Sequence, residues 1–514
     1  ADLLEGLAPP GELLREGDRL LTAICDDSRQ VQPGALFVAV RGTTADGRRF
    51  VADAIKRGAA VVLGEGLEPH EGALILNVPD ARAALAQLAL RWHGLAEGCC
   101  GLKLAGLTGT NGKSTSAFMA TAILRAAGLR CGMLGTVQYD LCGRSVRAGM
   151  TTPGPLELAA CLRECADNGA AAAIMEVSSH ALDQRRVDGL RFAAAAFTNL
   201  TGDHLDYHGT VENYRAAKTR LFAGLDADAV AVVNADDPSH VHMLADCRAR
   251  VVKFSLAPDS GSATRPATEI QARITRRTSA GTFYRMRIEG RELVLENALV
   301  GEHNVYNAMT AAGLAHALGA TPDHIAAGLL AVRNVPGRLQ RVPCASPADV
   351  FVDYAHTDDA LRNVLSVLKP LTRRRLIVVF GCGGDRDRTK RPRMAQAAAA
   401  FGDAILVTSD NPRTEAQRAI IDEILTGFDA VSRRRVLVEP DRAAAIRAAL
   451  AAAAEGDVVL IAGKGHENYQ ILGDRRIHFD DVEVAIQAAA ELGRETAGRS
   501  QPPGVTGGRV ASNE

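Results

Sequence analysis

The stretch Gly106-Leu107-Thr108-Gly109-Thr110-Asn111-Gly112-Lys113-Ser114-Thr115 decides how this chain is read. It lies between the apolar run LKLAGLT (102–108) and the helical pattern FMATAILRAAG (118–128). A strand–loop–helix of this kind is the setting for a phosphate loop. Bare backbone N–H groups gather at a helix N-terminus, a lysine meets the outer phosphates, and a hydroxyl serves Mg²⁺. The general pattern GxxxxGK[ST] asks for Gly at 107, where this chain has Leu107, so the loop is a GTxGK[ST] variant. A turn with a helix cap is the plainer alternative. The Gly-x-x-Gly-Lys-Ser spacing in this context favours phosphate.

Working outward, strand-like and helix-like segments alternate almost throughout, which predicts an α/β fold with mostly parallel sheets. The 514 residues suggest about three domains. We place them at 1–92, 93–335 (the phosphate-loop domain) and 336–495, with a Gly/Pro-rich tail at 496–514 expected to be disordered. Short β runs at 35–40, 59–63 and 73–78 precede a helix at about 80–93. The last part has strands near 349–353, 375–380, 403–408, 434–438 and 457–461. The stretch 258–269 reads as a loop or a β-excursion. Apolar residues make up 47% and charged residues 23%, so wholesale disorder is excluded. Lys+Arg of 59 against Asp+Glu of 60 argues against a surface built for nucleic acid, and 4% aromatics against stacking platforms for single strands. Ten cysteines without a CxxC pair suit neither a disulfide scaffold nor structural zinc. No secretory signal or membrane-length apolar run is evident, so the expected compartment is the cytoplasm.

Several strands end in polar clusters. AAIMEVSSHAL (172–182) ends a strand at Glu176, where a Mg²⁺ ligand belongs beside a phosphate loop. TNLTGDHLDYHGTVENYRAAKTRLF (198–222) carries Asp203, His204, Asp206 and His208, which fit either metal ligation or a hydrogen-bonded loop. Lys218 in the following helix reads, by itself, as a surface lysine. GEHNVYNAMTAAG (301–313) sets Asn304 and Asn307 on one helix face, as capping would. VDYAHTDDAL (352–361), FGCGGDRDRTKR (380–391), VTSDNPRT (407–414) and IAGKGHE (461–467) put Arg, Asp, Lys and His at four strand ends. Ligands of doubly wound sheets bind at such ends. The spacing of GCGG does not suit a dinucleotide loop.

GTNGKST, EVSSHAL, TNLTGDHLDYHGT, the lysine of AAKTRLF, GEHNVYN, VPGR and VDYAHT, in this order, resemble the Mur ligases, ATP-dependent amino-acid ligases of bacterial cell-wall synthesis. The resemblance runs from about residue 25 to 480. It implies a UDP-substrate domain, a central ATPase and a C-terminal Rossmann-like domain for the incoming amino acid. DNPR, here Asp410-Asn411-Pro412-Arg413, is associated in the family with meso-2,6-diaminopimelate rather than L-lysine. The implied activity joins meso-diaminopimelate to UDP-N-acetylmuramoyl-L-alanyl-D-glutamate through an acyl phosphate, with ATP as co-substrate and Mg²⁺ as cofactor. A monomer without nucleic-acid partner or membrane insertion is expected.

Carried over motif by motif, the resemblance implies catalytic roles for Lys113, Glu176, His204 and Lys218. ATP falls to Gly109, Thr110, Asn111, Gly112, Lys113, Ser114, Thr115, Asn304, Arg338 and Asp353. The UDP-sugar-peptide falls to Ser28, Thr43, Thr44, Ala45, Thr151, Thr152, Ser178, Gln184 and Arg186. Diaminopimelate falls to Arg386, Asp410, Asn411, Pro412, Arg413, Gly463 and Glu467. Ser114, Glu176, His204 and Lys218 as a carbamate would hold the metal. Met150 and Asp26 depart from the family's usual asparagine and apolar residue. The L-lysine-adding counterpart, a folylpolyglutamate synthase-like ligase and a non-catalytic nucleotide-binding regulator are the alternatives.

Overall fold

The structure, a computed structural model, describes residues 2–7, 20–42, 45–257 and 268–499, the last five as backbone only. Thr43, Thr44, most of the 258–269 stretch and the tail beyond 499 lie outside the described residues. The chain forms two compact units. The first takes in Ala1–Thr275, Tyr284–Leu295 and His303–Val332; the second takes in Arg276–Phe283, Glu296–Glu302 and Arg333–Glu514.

The first unit opens with four parallel strands in sequence order: β1 (Ile24–Cys25), β2 (Leu36–Ala39), β3 (Val61–Gly64) and β4 (Leu74–Asn77). Side chains alternate across a strand, so β2 sends Leu36 and Val38 to one core and Phe37 and Ala39 to another. The first core closes on helix Ala81–Trp92 through Leu85 and Leu88. Burial on both faces is why these strands read as unbroken apolar runs.

The larger sheet of this unit contains β5 (Lys103–Thr108), β6 (Cys131–Leu134), β7 (Gln138–Asp140), β8 (Ser145–Arg147), β9 (Ala172–Glu176), β10 (Phe192–Phe197), β11 (Val230–Asn234) and β12 (Arg250–Leu256). Beyond β12 follow β13 (Ile270–Thr278), β14 (Gly281–Ile288) and β15 (Arg291–Asn297). The order is β15-β14-β13-β12-β11-β10-β5-β9-β6-β7-β8. Strands β12 to β6 of that order are parallel. Strand β5 sits between β9 and β10, with β6 on the β9 side. The crossovers therefore diverge around β5, which opens a crevice at its carboxyl end. Thr108, Glu176 and Phe197 end the three strands that meet there.

The sheet of the second unit has β16 (Gln340–Arg341), β17 (Asp349–Asp353), β18 (Leu376–Phe380), β19 (Ala404–Val407), β20 (Val436–Val438) and β21 (Val458–Ala462), in the order β16-β17-β21-β18-β19-β20. All but β16 are parallel. The last strand in sequence inserts between β17 and β18, so the crevice lies where Asp353, Ala462 and Phe380 end. A hairpin absent from the sequence reading, β22 (Tyr469–Leu472) with β23 (Arg475–His478), follows β21. Among the described residues no helix is long and apolar enough to cross a membrane.

Candidate active site

The phosphate loop leaves β5 and enters helix Lys113–Ala126. Leu107, the departure from the general motif, is a fully buried residue of β5, so the loop proper begins after it. Two glycines have no substitute here. Gly109 has φ 144°, and a Cβ would lie 1.9 Å from Thr198 Oγ1; Gly112 has φ 88°, and a Cβ would lie 2.2 Å from Asn307 Oδ1. Both conditions exclude an L side chain. The loop is pinned from the neighbouring strand end. Thr110 N donates to Asn199 O (2.8 Å), Asn111 N to Asn199 Oδ1 (2.9 Å), and Thr198 Oγ1 to Asn111 O (2.7 Å). Lys113 Nζ lies 2.8 Å from Gly109 O and 2.9 Å from Thr110 O. Asn304 is more than a cap: its Oδ1 accepts from Asn307 Nδ2 (3.0 Å), and Asn307 stands against Gly112 and Ser116.

Glu176 is buried, and both carboxylate oxygens accept from Thr136, from its N–H at 2.8 Å and its hydroxyl at 3.1 Å. Thr136 was not foreseen; it lies forty residues away in sequence. Thr151, Thr152, Ser178, Gln184 and Arg186 are drawn to the same strand end. Thr151 and Thr136 share a hydroxyl contact at 3.0 Å, Thr152 Oγ1 donates to Glu176 O, and Ser178 N donates to Thr152 Oγ1. Arg186 reaches Thr152 O and Gln184 Oε1. Met150 presents Sδ to Arg186 at 3.3 Å. Ser28 and Ala45 lie in connections of the smaller sheet, at a distance in the chain from this network, with Ser28 buried in the 3-10 turn after β1.

Lys218 departs from its reading as a surface lysine. It is 1% exposed, on the inner face of helix Val211–Ala223. Its Nζ donates to Gly109 O (2.9 Å) and sits 4.4 Å above the Tyr214 ring. Burial first, and the Lys113 ammonium second, push its pKa well below the usual lysine value, against a smaller opposing effect of Asp203. Tyr214 in turn shares a hydroxyl contact with Thr110 (3.0 Å). His204 has φ 53° and stands edge-on to His180, ring centroids 4.8 Å apart. Burial, then His204 and His208, push His180 down to about 4. His208 contacts Ser179 Oγ at 3.0 Å. Among the described residues no three His, Cys, Asp or Glu side chains gather as metal ligands, and Leu205–His208 form a short helix.

In the second unit, Asp353 is buried and accepts from Leu339 N (2.6 Å) and Ala355 N (2.8 Å); burial pushes its pKa up to about 6 despite these bonds and Arg338. Arg338 faces the Tyr354 ring. Arg386 is exposed, whereas Asp410 and Asn411 are buried. The side chain of Asn411 is bonded within the protein at both ends of its amide. Its Oδ1 accepts from Ile471 N (3.0 Å), and its Nδ2 donates to Glu467 Oε2 (2.9 Å). Gly463 sits so close to Asp410 that a Cβ would meet Oδ2 at 2.9 Å. Arg413 has φ 54°, held by Arg413 N donating to Ile471 O and Gly473 N donating to Arg413 O; its Nη1 donates to Gly384 O at 2.7 Å. Pro412 precedes it in the same turn. Two buried arginines brace this crevice: Arg391, which closes the polar stretch 380–391, and Arg442, which was not foreseen. Arg391 binds Glu415, Glu423 and Gly383 O, and Arg442 binds Asp481, Ser409 O and Ala462 O.

The chain matches the Mur ligase middle domain over residues 107–315, the Mur ligase glutamate ligase domain over 337–465, and the Mur ligase family catalytic domain over 21–93. It is 44% identical over 476 residues to the UDP-N-acetylmuramoyl-L-alanyl-D-glutamate–2,6-diaminopimelate ligase of Solibacter usitatus, covering 92% of this chain and 94% of that one. A Gloeobacter violaceus protein of the same name is 45% identical with the same coverage. A solved structure of a ligase of that name aligns with TM-score 0.65 and 33% identity, over 92% of this chain and 95% of the other.

Proposed function

This chain belongs to the Mur ligase family, and from that premise we propose that it joins meso-2,6-diaminopimelate to UDP-N-acetylmuramoyl-L-alanyl-D-glutamate at the expense of ATP. The observation that carries the reading is the Asp410–Arg413 turn, clamped beside Glu467 and Gly463 at the strand ends of the second unit. meso-Diaminopimelate differs from L-lysine by a distal carboxylate with its own stereocentre. Arg413, with Arg386, offers the planar fork that pairs with a carboxylate. The whole is a monomeric, cytoplasmic enzyme of peptidoglycan precursor synthesis, with neither nucleic acid nor membrane as partner.

A carboxylate is a poor electrophile and needs activation. In the proposed route the γ-carboxylate of the D-glutamyl residue attacks the γ-phosphate of ATP, giving an acyl phosphate and ADP. The amine of diaminopimelate then displaces phosphate. Residues Gly109–Thr115 cradle the phosphates through backbone N–H groups, and Lys113 meets the outer ones. Asn304 serves the same nucleotide by holding Asn307 against the loop, and the family resemblance gives Arg338 and Asp353 to it as well. Thr151, Thr152, Ser178, Gln184 and Arg186 orient the sugar-peptide, with Ser28, Thr43, Thr44 and Ala45 at its UDP end. Positioning and charge neutralisation do the work.

Magnesium is implied by the family, and the donors present suit it: the Glu176 carboxylate and Ser114 hydroxyl are hard oxygens, as a phosphate-bound magnesium site needs, with His204 alongside. When bound it neutralises charge on the transferring phosphoryl group. Lys218 is poised for the carbamylation the family implies. Its depressed pKa supplies the neutral amine that carbon dioxide requires, and the carbamate would place an anion beside Gly109. The test is phosphate release from ATP and the UDP-dipeptide with meso-diaminopimelate, L-lysine or glutamate supplied in turn. Release dependent on diaminopimelate is expected; preference for L-lysine or glutamate would overturn the reading.

A further inference from the structure

We propose that Lys464 is a positioning residue of the amino-acid site, its buried ammonium setting which way the Asn411 amide faces and so holding Glu467. The inference rests on the reading of these strand ends as the amino-acid site. Lys464 follows β21 and is fully buried. Its Nζ lies 3.3 Å from Asn411 Oδ1, 3.4 Å from Glu467 Oε2 and 3.8 Å from Asp410 Oδ1, with the Tyr469 ring 5.2 Å away. A buried ammonium persists only among such partners.

The side-chain amide of Asn411 has an acceptor at one end and donors at the other. Lys464 and the Ile471 N–H both address the acceptor end, and the Glu467 carboxylate addresses the donor end. The flipped amide would set NH₂ against an ammonium and C=O against a carboxylate. One orientation therefore survives, and it fixes Glu467 Oε2 while Tyr469 OH fixes Oε1 at 3.1 Å. The same ammonium lies 3.8 Å from Asp410 and 3.4 Å from Glu467, and so offsets the charge of both carboxylates. Lys464 points into protein on all sides and does not itself meet the incoming molecule; it acts by holding Asp410 and Glu467.

The test is a double-mutant cycle on the full-length enzyme with Lys464→Met, Asn411→Ala and the pair, reading KM for meso-diaminopimelate and KM for ATP. Lys464→Met is expected to raise the diaminopimelate KM about 10- to 100-fold, the range for a lost hydrogen bond to a charged group. ATP KM should stay within about twofold. If Lys464 acts through Asn411, the pair costs no more than the worse single change. Losses that multiply, or an equal rise in both KM values, overturn the inference. Should Lys464→Met lack a cooperative thermal transition, Lys464→Gln carries the same cycle; loss of the transition in both makes Lys464 a folding residue and also overturns it. A wild-type enzyme that releases no phosphate with any amino acid brings down the functional reading and this inference with it. An active wild type with multiplying losses brings down the inference alone.

Discussion

Replacing Lys218 with methionine should separate stability from activity. The side chain is 1% exposed, and its described contacts are a backbone carbonyl and an aromatic ring. Methionine, one atom shorter, keeps most of the apolar stem and loses one hydrogen bond, about 0.5–1.5 kcal/mol. Against this stands a larger effect of opposite sign. The folded-state pKa lies well below the usual lysine value, so between the two values the unfolded chain binds a proton that the folded chain does not. Stability then rises with pH, by about 1.4 kcal/mol per unit. Wild type should gain on Lys218→Met across whatever part of pH 7–9 lies above the folded pKa, by up to about 3 kcal/mol over the full span. The methionine variant, lacking that titration, serves as the reference. Urea unfolding of both proteins in carbon dioxide-free buffer, following the first unit's transition, measures this. Steady-state turnover of Lys218→Met should meanwhile fall by orders of magnitude, with partial rescue by short carboxylates. A stability difference independent of pH would mean that the lysine keeps its proton when folded, and the argument for a neutral, carbamylation-ready amine would fail. So would a ¹³C spectrum of the active enzyme in labelled bicarbonate without a carbamate signal.

Lys113→Ala should abolish turnover, because it removes the cation of the phosphate loop itself; near-normal phosphate release would remove the loop from the mechanism. Arg413→Ala should raise the diaminopimelate KM far more than the ATP KM, at a cost of about 2–5 kcal/mol for a truncated charge pair with the distal carboxylate. Equal effects on the two substrates in steady-state kinetics would sink that assignment. Asp353→Asn should gain stability relative to wild type between about pH 4 and pH 6. There the folded carboxyl, raised to about 6 by burial, holds a proton that the unfolded one has released, so wild type loses stability as pH rises through that window. Chemical denaturation of the second unit at pH 4, 5, 6 and 7 checks it, and an unchanging difference would refute it.

The amino-acid sequence by itself determined the α/β class, the phosphate loop and the polar strand ends, because each is written in local spacing. Gly109 to Ser114 span one turn, and β17, β18, β19 and β21 lie within a residue or two of the runs read for them. DNPR took its meaning from the resemblance to the Mur ligases. Tertiary structure alone decided the rest. Lys218 reads as a surface lysine because its helix carries polar residues around it, and only packing against the phosphate loop buries it. Thr136, in the bend after β6, meets Glu176 at the end of β9, and Lys464 and Asn411 meet although fifty-three residues separate them. The hairpin β22–β23 holds Asn411 and Arg413 through backbone bonds that no side-chain pattern announces. Arg391, one of several charges in the 380–391 cluster, and Arg442, unremarkable in sequence, become buried braces once carboxylates from distant segments close around them. Local spacing records which backbone a segment adopts; pairing between distant segments depends on the order in which strands insert into a sheet. Here β21 entering between β17 and β18 brings Lys464 to Asn411, and that insertion has no local signature.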